Sequence, residues 1–518
     1  MRKIISFIMI FIISLTFVAC NNNKEGKGEK KEALLIYGSA SDYSRINPAI
    51  DEHGEIHSLI FRGLTKHDED ANIVMDMAKE ITVSNDFLRY DIELKQGIKW
   101  HDGEEFNSED VKFTLDSIND SKNLSEISSN YKEIKEVVIN NDYNLTLIMK
   151  NKCSAIMDYL SIGMIPKHVF KEYPIYKDEA NKNPIGTGPY KLTKWENGSY
   201  IELQAFDDFY GSKASIDKVV FKIIPDEKMR LLQLQSGEIN LTQLEPRDLK
   251  AIDSEKLNIY ERQTADYRGV MFNFSKDIFK DNNFIKAMCY AIDKDKIIEV
   301  TLDNKGQKAY SPLQKSKYYL DLEEKYDFDI QKSKELLLNN GYVFDNKNKL
   351  MKNGEKIEFR LTVFEGDPIR VDMAKMVAAN LQDIGINVIL DISSKIDWDN
   401  LDAFLIGWGS PFDPDDHTYK VFNSNEIETG MNLNFYKNEV VDEALENARK
   451  YIDYEKRKTY YDKFQIAMNE QPPFAFIAYI DSLYASNLNI KNLNNNILGH
   501  HGVGFLSNIE EWEIEVEN

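Results

Sequence analysis

From residue 33 onward the chain interleaves segments of two hydrophobic periods, and that mixture commits it to the α/β class. Leu88–Leu94 and Tyr143–Met149 alternate apolar with polar residues, as half-buried strands do. Ala33–Tyr37, Ile216–Ile223, Lys356–Phe364, Asn387–Ile392, Leu401–Trp408 and Pro473–Tyr479 read as further strands. Between them, helical spacing runs over Glu55–Gly63, Asp226–Ser236, Asn283–Val300, Asp329–Asn340, Ile369–Gly385, Glu439–Tyr451 and Tyr454–Met468. Another helix opens at Ser108, read as its N-cap, with Glu109 and Asp110 filling the first turn. No repeat or low-complexity insertion interrupts the series, and 518 residues suffice for two or three domains with ample cores.

The N-terminus is of a different kind. Met1-Arg2-Lys3 precedes an apolar run from Ile4 to Ala19, short of the roughly 20 residues that a spanning helix needs. Phe17-Val18-Ala19-Cys20 resembles a bacterial lipobox, with Phe where Leu is commonest. The resemblance implies a signal peptide over 1–19 and a diacylated Cys20 as the mature N-terminus. The chain is then exported and anchored as a lipoprotein to the outer face of the cell membrane, through lipid alone. Asn21–Lys31 is polar, with no aromatic residue, the composition of a flexible tether that spans 20–33 with the lipidated cysteine. Only Cys153 and Cys289 remain, too few for a disulfide framework. A formal net charge of −22 argues against nucleic acid or anionic lipid as the main partner.

Several strings resemble the extracellular solute-binding protein family 5, the peptide- and nickel-binding cluster. They begin with Trp100-His101-Asp102-Gly103 leading into Ser108-Glu109-Asp110-Val111, then Gly186-Thr187-Gly188-Pro189-Tyr190 and Phe209-Tyr210-Gly211. Tyr290-Ala291-Ile292-Asp293-Lys294, Leu336-Leu337 before Gly341-Tyr342, and Leu381-Gln382-Asp383-Ile384-Gly385-Ile386 follow in family order. The resemblance implies a two-lobed periplasmic-binding-protein-like fold whose lobes close on a ligand about a hinge. Lobe one would span 34–263, with an extra subdomain at about 76–184, lobe two 264–485, and a return segment 486–518 would complete lobe one. It also implies a monomer that serves the permease and ATPase subunits of an ABC importer. Gly186 and Gly188 read as a tight turn, in which glycine supplies backbone freedom.

These strings are scaffold, so the ligand must be sought elsewhere. Leu498-Gly499-His500-His501-Gly502-Val503-Gly504 places two imidazoles side by side. On a regular strand they would oppose each other, but flanking glycines permit a bend that brings both to one ion. Imidazole nitrogen suits nickel, cobalt, copper and zinc, and binding should weaken as pH falls through about 6.5. By resemblance to the nickel-binding branch, His53 is the expected third ligand, with His57 beside it. Trp408, in Trp408-Gly409-Ser410-Pro411-Phe412-Asp413-Pro414, could wall the pocket by stacking. Dipeptide-binding relatives have an aspartate close behind that Trp to pair with the peptide's amino terminus; here the first acid is Asp413. Tyr267 and Arg268, in Ala265-Asp266-Tyr267-Arg268-Gly269, and Arg370 complete the candidate pocket. An Arg fork suits the carboxylate of a chelator such as free histidine or an organic acid. His67, His101, His168 and His417 read as structural.

Enzyme motifs are missing: no Gly-x-Ser-x-Gly elbow, no His-Glu-x-x-His helix, no phosphate-binding loop. The chain therefore reads as a binding protein and not an enzyme, with no catalytic cofactor. Its expected cargo is nickel, cobalt or a related divalent metal, free or chelated. An oligopeptide or dipeptide is the alternative.

Overall fold

Two long strands, Asn258–Phe272 and Phe474–Ser486, lie antiparallel at the middle of a mixed sheet that has eleven strands among the described residues. The computed structural model describes residues 32–51, 54–252, 256–428 and 430–514. The leader, Cys20 and His53 lie outside the described residues. On one flank of the central pair come Ala403–Trp408, Glu358–Phe364 and Asn387–Ser393; on the other come Leu241–Leu244, Leu34–Ser39, Lys218–Ile223, Tyr200–Ala205 and Tyr190–Glu196. Gly306–Lys308 pairs with Phe474–Ser486 off this path. Register slips between Gln263 and Tyr267, where Thr264 instead bridges to Leu498.

The apolar core divides at the same place. One cluster joins Leu35, Phe221 and Leu241 to Tyr484, Leu506 and Trp512, so the C-terminal segment returns to pack with the N-terminal half. Two others are built within 267–480, around Val270, Leu361 and Ile477 and around Trp408, Tyr461 and Phe474. Each lobe thus buries its own apolar surface, and the pair of long strands is continuous between them. A separate antiparallel sheet of Ala78–Val83, Arg89–Leu94, Asn144–Met149 and Ile134–Asn141 sits on the first lobe. Among the described residues no helix is long and apolar enough to cross a membrane.

Local chemistry explains where the elements differ from the sequence reading. The Ser108–Asn119 helix is capped one residue earlier: Asn107 accepts from the Glu109 amide while Asp110 accepts from the Asn107 amide. The segment read as one helix over 283–300 is two, Asn282–Ala291 and Lys294–Leu302, because Asp293 turns out as a cap and accepts from the Lys296 amide. Gly186 and Gly188 serve close approach rather than backbone freedom. A Cβ on them would stand 1.8 Å from the Ile60 carbonyl oxygen and 2.4 Å from that of Leu59. His101 belongs to this scaffold. Its Nε2 donates to the Gly188 carbonyl at 3.0 Å, its Nδ1 accepts from the Gly186 amide at 3.2 Å, and burial drives its pKa down to about 4.

Candidate functional site

A cleft of about 360 Å³ opens where the two cores meet, lined by Tyr37, Arg230, Gln243 and Glu245 on one side and Arg268, Asp367 and Arg370 on the other. His501 and Gly502 lie at its wall, brought there by the return segment.

The backbone there makes the turn that the double histidine requires. His501 and Gly502 take consecutive left-handed conformations, φ 56° and 76°. This folds both imidazoles together, with centroids 3.9 Å apart and planes at 48°. Gly502 is required twice over, since a Cβ on it would meet the Ser482 hydroxyl at 2.3 Å. Gly499 is extended and supplies no such freedom.

Asp266 organises the pair. Its carboxylate, 3% exposed, accepts from His500 Nδ1 at 2.7 Å and from the His501 amide at 3.1 Å, and it pairs with the Arg268 guanidinium. One ligand atom from each of Asp266, His500 and His501 lies within 4.8 Å of the others. With Nδ1 donating to the carboxylate, the His500 tautomer keeps its lone pair on Nε2, the form that binds metal. Burial alone would raise the Asp266 pKa, but Arg268 and His500 outweigh it and hold the acid well below its ordinary range. Burial lowers both imidazoles, and His501 is lowered further by His500 beside it. The pair is therefore neutral and ready to donate at physiological pH.

A cationic wall adjoins this cluster. Arg268 Nη2 stands 3.9 Å from Asp367, and Arg370 Nε stands 2.8 Å from the same carboxylate. Burial and then the charge of Arg268 pull Arg370 down to about 10. Arg268 Nε is buried and has no hydrogen-bond partner among the described residues.

The other candidates are placed differently. Strand alternation puts residues 266 and 268 on one face and 267 on the other, so Tyr267 packs edge-on against Phe476 and Tyr479 in the core. Trp408, the register partner of Tyr267, is buried and stacks on Phe474. Neither lines the cleft. His57 lies edge-on to Phe61, and a Cβ on Gly54 would meet its ring at 2.9 Å. Its neighbour Glu55 fastens this loop to the segment after the double histidine, accepting from the amides of Gly504 and Leu506. His53, two residues before Glu55, is outside the described residues.

Asp266 is the residue that the sequence reading missed. The signal was its spacing, one strand period before Arg268. Asp413 has an internal use: Arg457 grips both its oxygens, at 2.6 and 2.7 Å.

Residues 72–429 match the family described as bacterial extracellular solute-binding proteins, family 5. The chain belongs to that family. It is a substrate-binding protein of an ABC importer, with the two-lobed fold of that class. Among solved structures it is similar to NikZ from Campylobacter jejuni in complex with Ni(L-His), at 36% identity and a TM-score of 0.85, covering 93% of this chain and 99% of that one. It is also similar to the oligopeptide-binding protein AppA of Bacillus subtilis, solved with a nonapeptide, at 30% identity and a TM-score of 0.80, covering 94% of this chain and all of that one. In sequence AppA is 29% identical over 97% of both chains.

Proposed function

We propose that this protein captures nickel, or a related divalent metal such as cobalt, free or in a chelate, in the cleft between its lobes. The observation that carries the reading is the cluster of His500, His501 and Asp266, with ligand atoms within 4.8 Å of one another. Two neutral imidazoles suit a borderline metal ion, and Asp266 acts mainly by holding His500 in its tautomer while its other oxygen fixes the His501 backbone amide. The buried Arg268 Nε is the kind of donor that a chelator's carboxylate would satisfy. The NikZ complex with Ni(L-His) supports this direction. Peptide cargo, the alternative, draws on the likeness to AppA. Against it, Arg457 already occupies Asp413, the acid nearest to where dipeptide-binding relatives hold an amino terminus. In this reading His53 adds a third ligand, Cys20 carries the lipid anchor, and a monomer delivers its cargo to the permease and ATPase subunits.

Replacing His500 and His501 together by Ala tests the assignment. Calorimetric titration with nickel chloride, with and without L-histidine, should show affinity at least 100-fold weaker than the parent's. The melting temperature should move by less than about 2 °C, because the turn contributes little to the core. Unchanged nickel affinity would overturn the metal reading and put a peptide first.

A further inference from the structure

The lobes meet at a second face, none of whose residues lines the cleft. There two short helices of the first lobe, Ser128–Tyr131 and Ile156–Tyr159, with the residues beside them and the end of strand Thr65–His67, reach segment 412–449 of the second lobe. Tyr159 Oη donates to Asp415 at 2.9 Å, Asn130 Nδ2 donates to Asp416 at 2.8 Å, and Lys132 Nζ pairs with Glu426. The Asp413 amide donates to Asp158 at 3.2 Å, and the Ser154 amide to the Arg449 carbonyl at 2.9 Å. His67 stacks on Phe412, with centroids 3.7 Å apart and planes at 12°.

Three carboxylates of the second lobe thus each receive a donor from the first. They differ in what their own lobe gives them. Asp415 has Arg449 at 2.9 Å, and Asp416 has His417 at 3.1 Å and Lys420 at 3.4 Å. Glu426, only 1% exposed, takes Lys132 from across the interface as its counter-ion. A dehydrated carboxylate is costly without a cation, so this geometry has its full value only when the lobes are together.

We propose that this face is an interlobe clasp that stabilises the closed form whatever the cleft holds, and so sets ligand affinity from outside the binding site. Apparent affinity scales with the fraction of molecules able to close, so each clasp contact multiplies the association constant without touching the ligand. A charge-assisted contact of the Lys132–Glu426 kind corresponds to about tenfold in that equilibrium, and a neutral-donor contact such as that of Asn130 to about fivefold.

The test uses the full lipidated chain with spin labels at Lys135→Cys and Lys437→Cys, both exposed and one on each lobe. Distances are read by double electron–electron resonance, in buffer alone and with nickel chloride plus L-histidine. The parent should show a short, closed component. Lys132→Gln should lower the closed-to-open ratio about tenfold and Asn130→Ala about fivefold, while Lys132→Arg should retain it. Melting curves for all variants should stay close to the parent's. Distance distributions in Lys132→Gln and Asn130→Ala that match the parent's in both conditions would overturn the clasp, as would a Lys132→Arg chain as open as Lys132→Gln. The distances are read without reference to the cargo, so failure of the nickel reading would leave this result standing.

Discussion

Replacing Asp266 by Asn removes one charge and leaves the shape of the side chain almost intact. The parent carboxylate serves His500 Nδ1, the His501 amide and Arg268 at once, all of them donors. An asparagine offers one acceptor oxygen and an NH₂ group, so in either orientation a donor is turned on a donor. Arg268 would be left with Asp367, 3.9 Å away, as its remaining acid. Breaking a buried pair costs 3–5 kcal/mol, and the retained oxygen places this case at about 3 kcal/mol. An unfolding entropy of about 2.1 cal/mol/K per residue over 518 residues gives about 1.1 kcal/mol/K, so the melting temperature should fall by about 3 °C. Because the acid's folded pKa is depressed, its stabilisation is present above the unfolded value, near 3.9, and is lost as pH falls through the folded one. The gap between parent and variant should therefore be constant from pH 5 to 8. Nickel affinity should drop about 10- to 100-fold, the cost of losing a partner that orients a ligand. Scanning calorimetry and nickel titration check both figures. A variant that melts within 1 °C of the parent and binds nickel within twofold would refute the role given to Asp266.

Cys20→Ser should move the protein from the membrane fraction to the medium; a variant that stays with the membrane refutes the lipid anchor. Nickel affinity should hold as pH falls from 7.5 through 6.5 and weaken only below that, because both imidazoles lie under their ordinary value. A tenfold loss already at pH 6.5, by titration in matched buffers, would contradict this. Glu245 is pushed up to about 7 by burial and then by the charges of Glu227 and Asp367. Its raised folded value means that the stability it confers is full below about 4.5 and is lost as pH rises through 7. The parent should therefore gain about 2 °C over Glu245→Gln between pH 8 and pH 5.5, and equal pH profiles for the two would refute the shift.

The α/β class and most elements were legible in the sequence because period and capping are local properties. Two kinds of information were not. Asn107 and Ser108 are both good caps, and only the hydrogen bonds of the folded turn choose Asn107. Gly186 and Gly188 look like turn residues, yet what demands glycine is the backbone of residues 59–60, far away in sequence. The site divides in the same way. His500 and His501 were conspicuous as an unusual pair between glycines, and the bend inferred for them falls on His501 itself and on Gly502. Asp266 was hidden because acids are common in this chain, and its meaning depends on a return segment more than 230 residues later. Tyr267 was drawn toward the pocket by its place beside Arg268, and Trp408 by the likeness of its string to relatives and its capacity to stack, while the strand's two-residue period sends both into the core.

Nickel-edge X-ray absorption of the loaded protein reads the ion's own ligands, and so shows whether the double histidine holds the metal. Loaded with nickel alone, the parent should show the multiple-scattering pattern of at least two imidazoles, and His500→Ala/His501→Ala should lose it. A parent spectrum without imidazole scattering, or one unchanged in the double variant, would rule out His500 and His501 as the metal ligands.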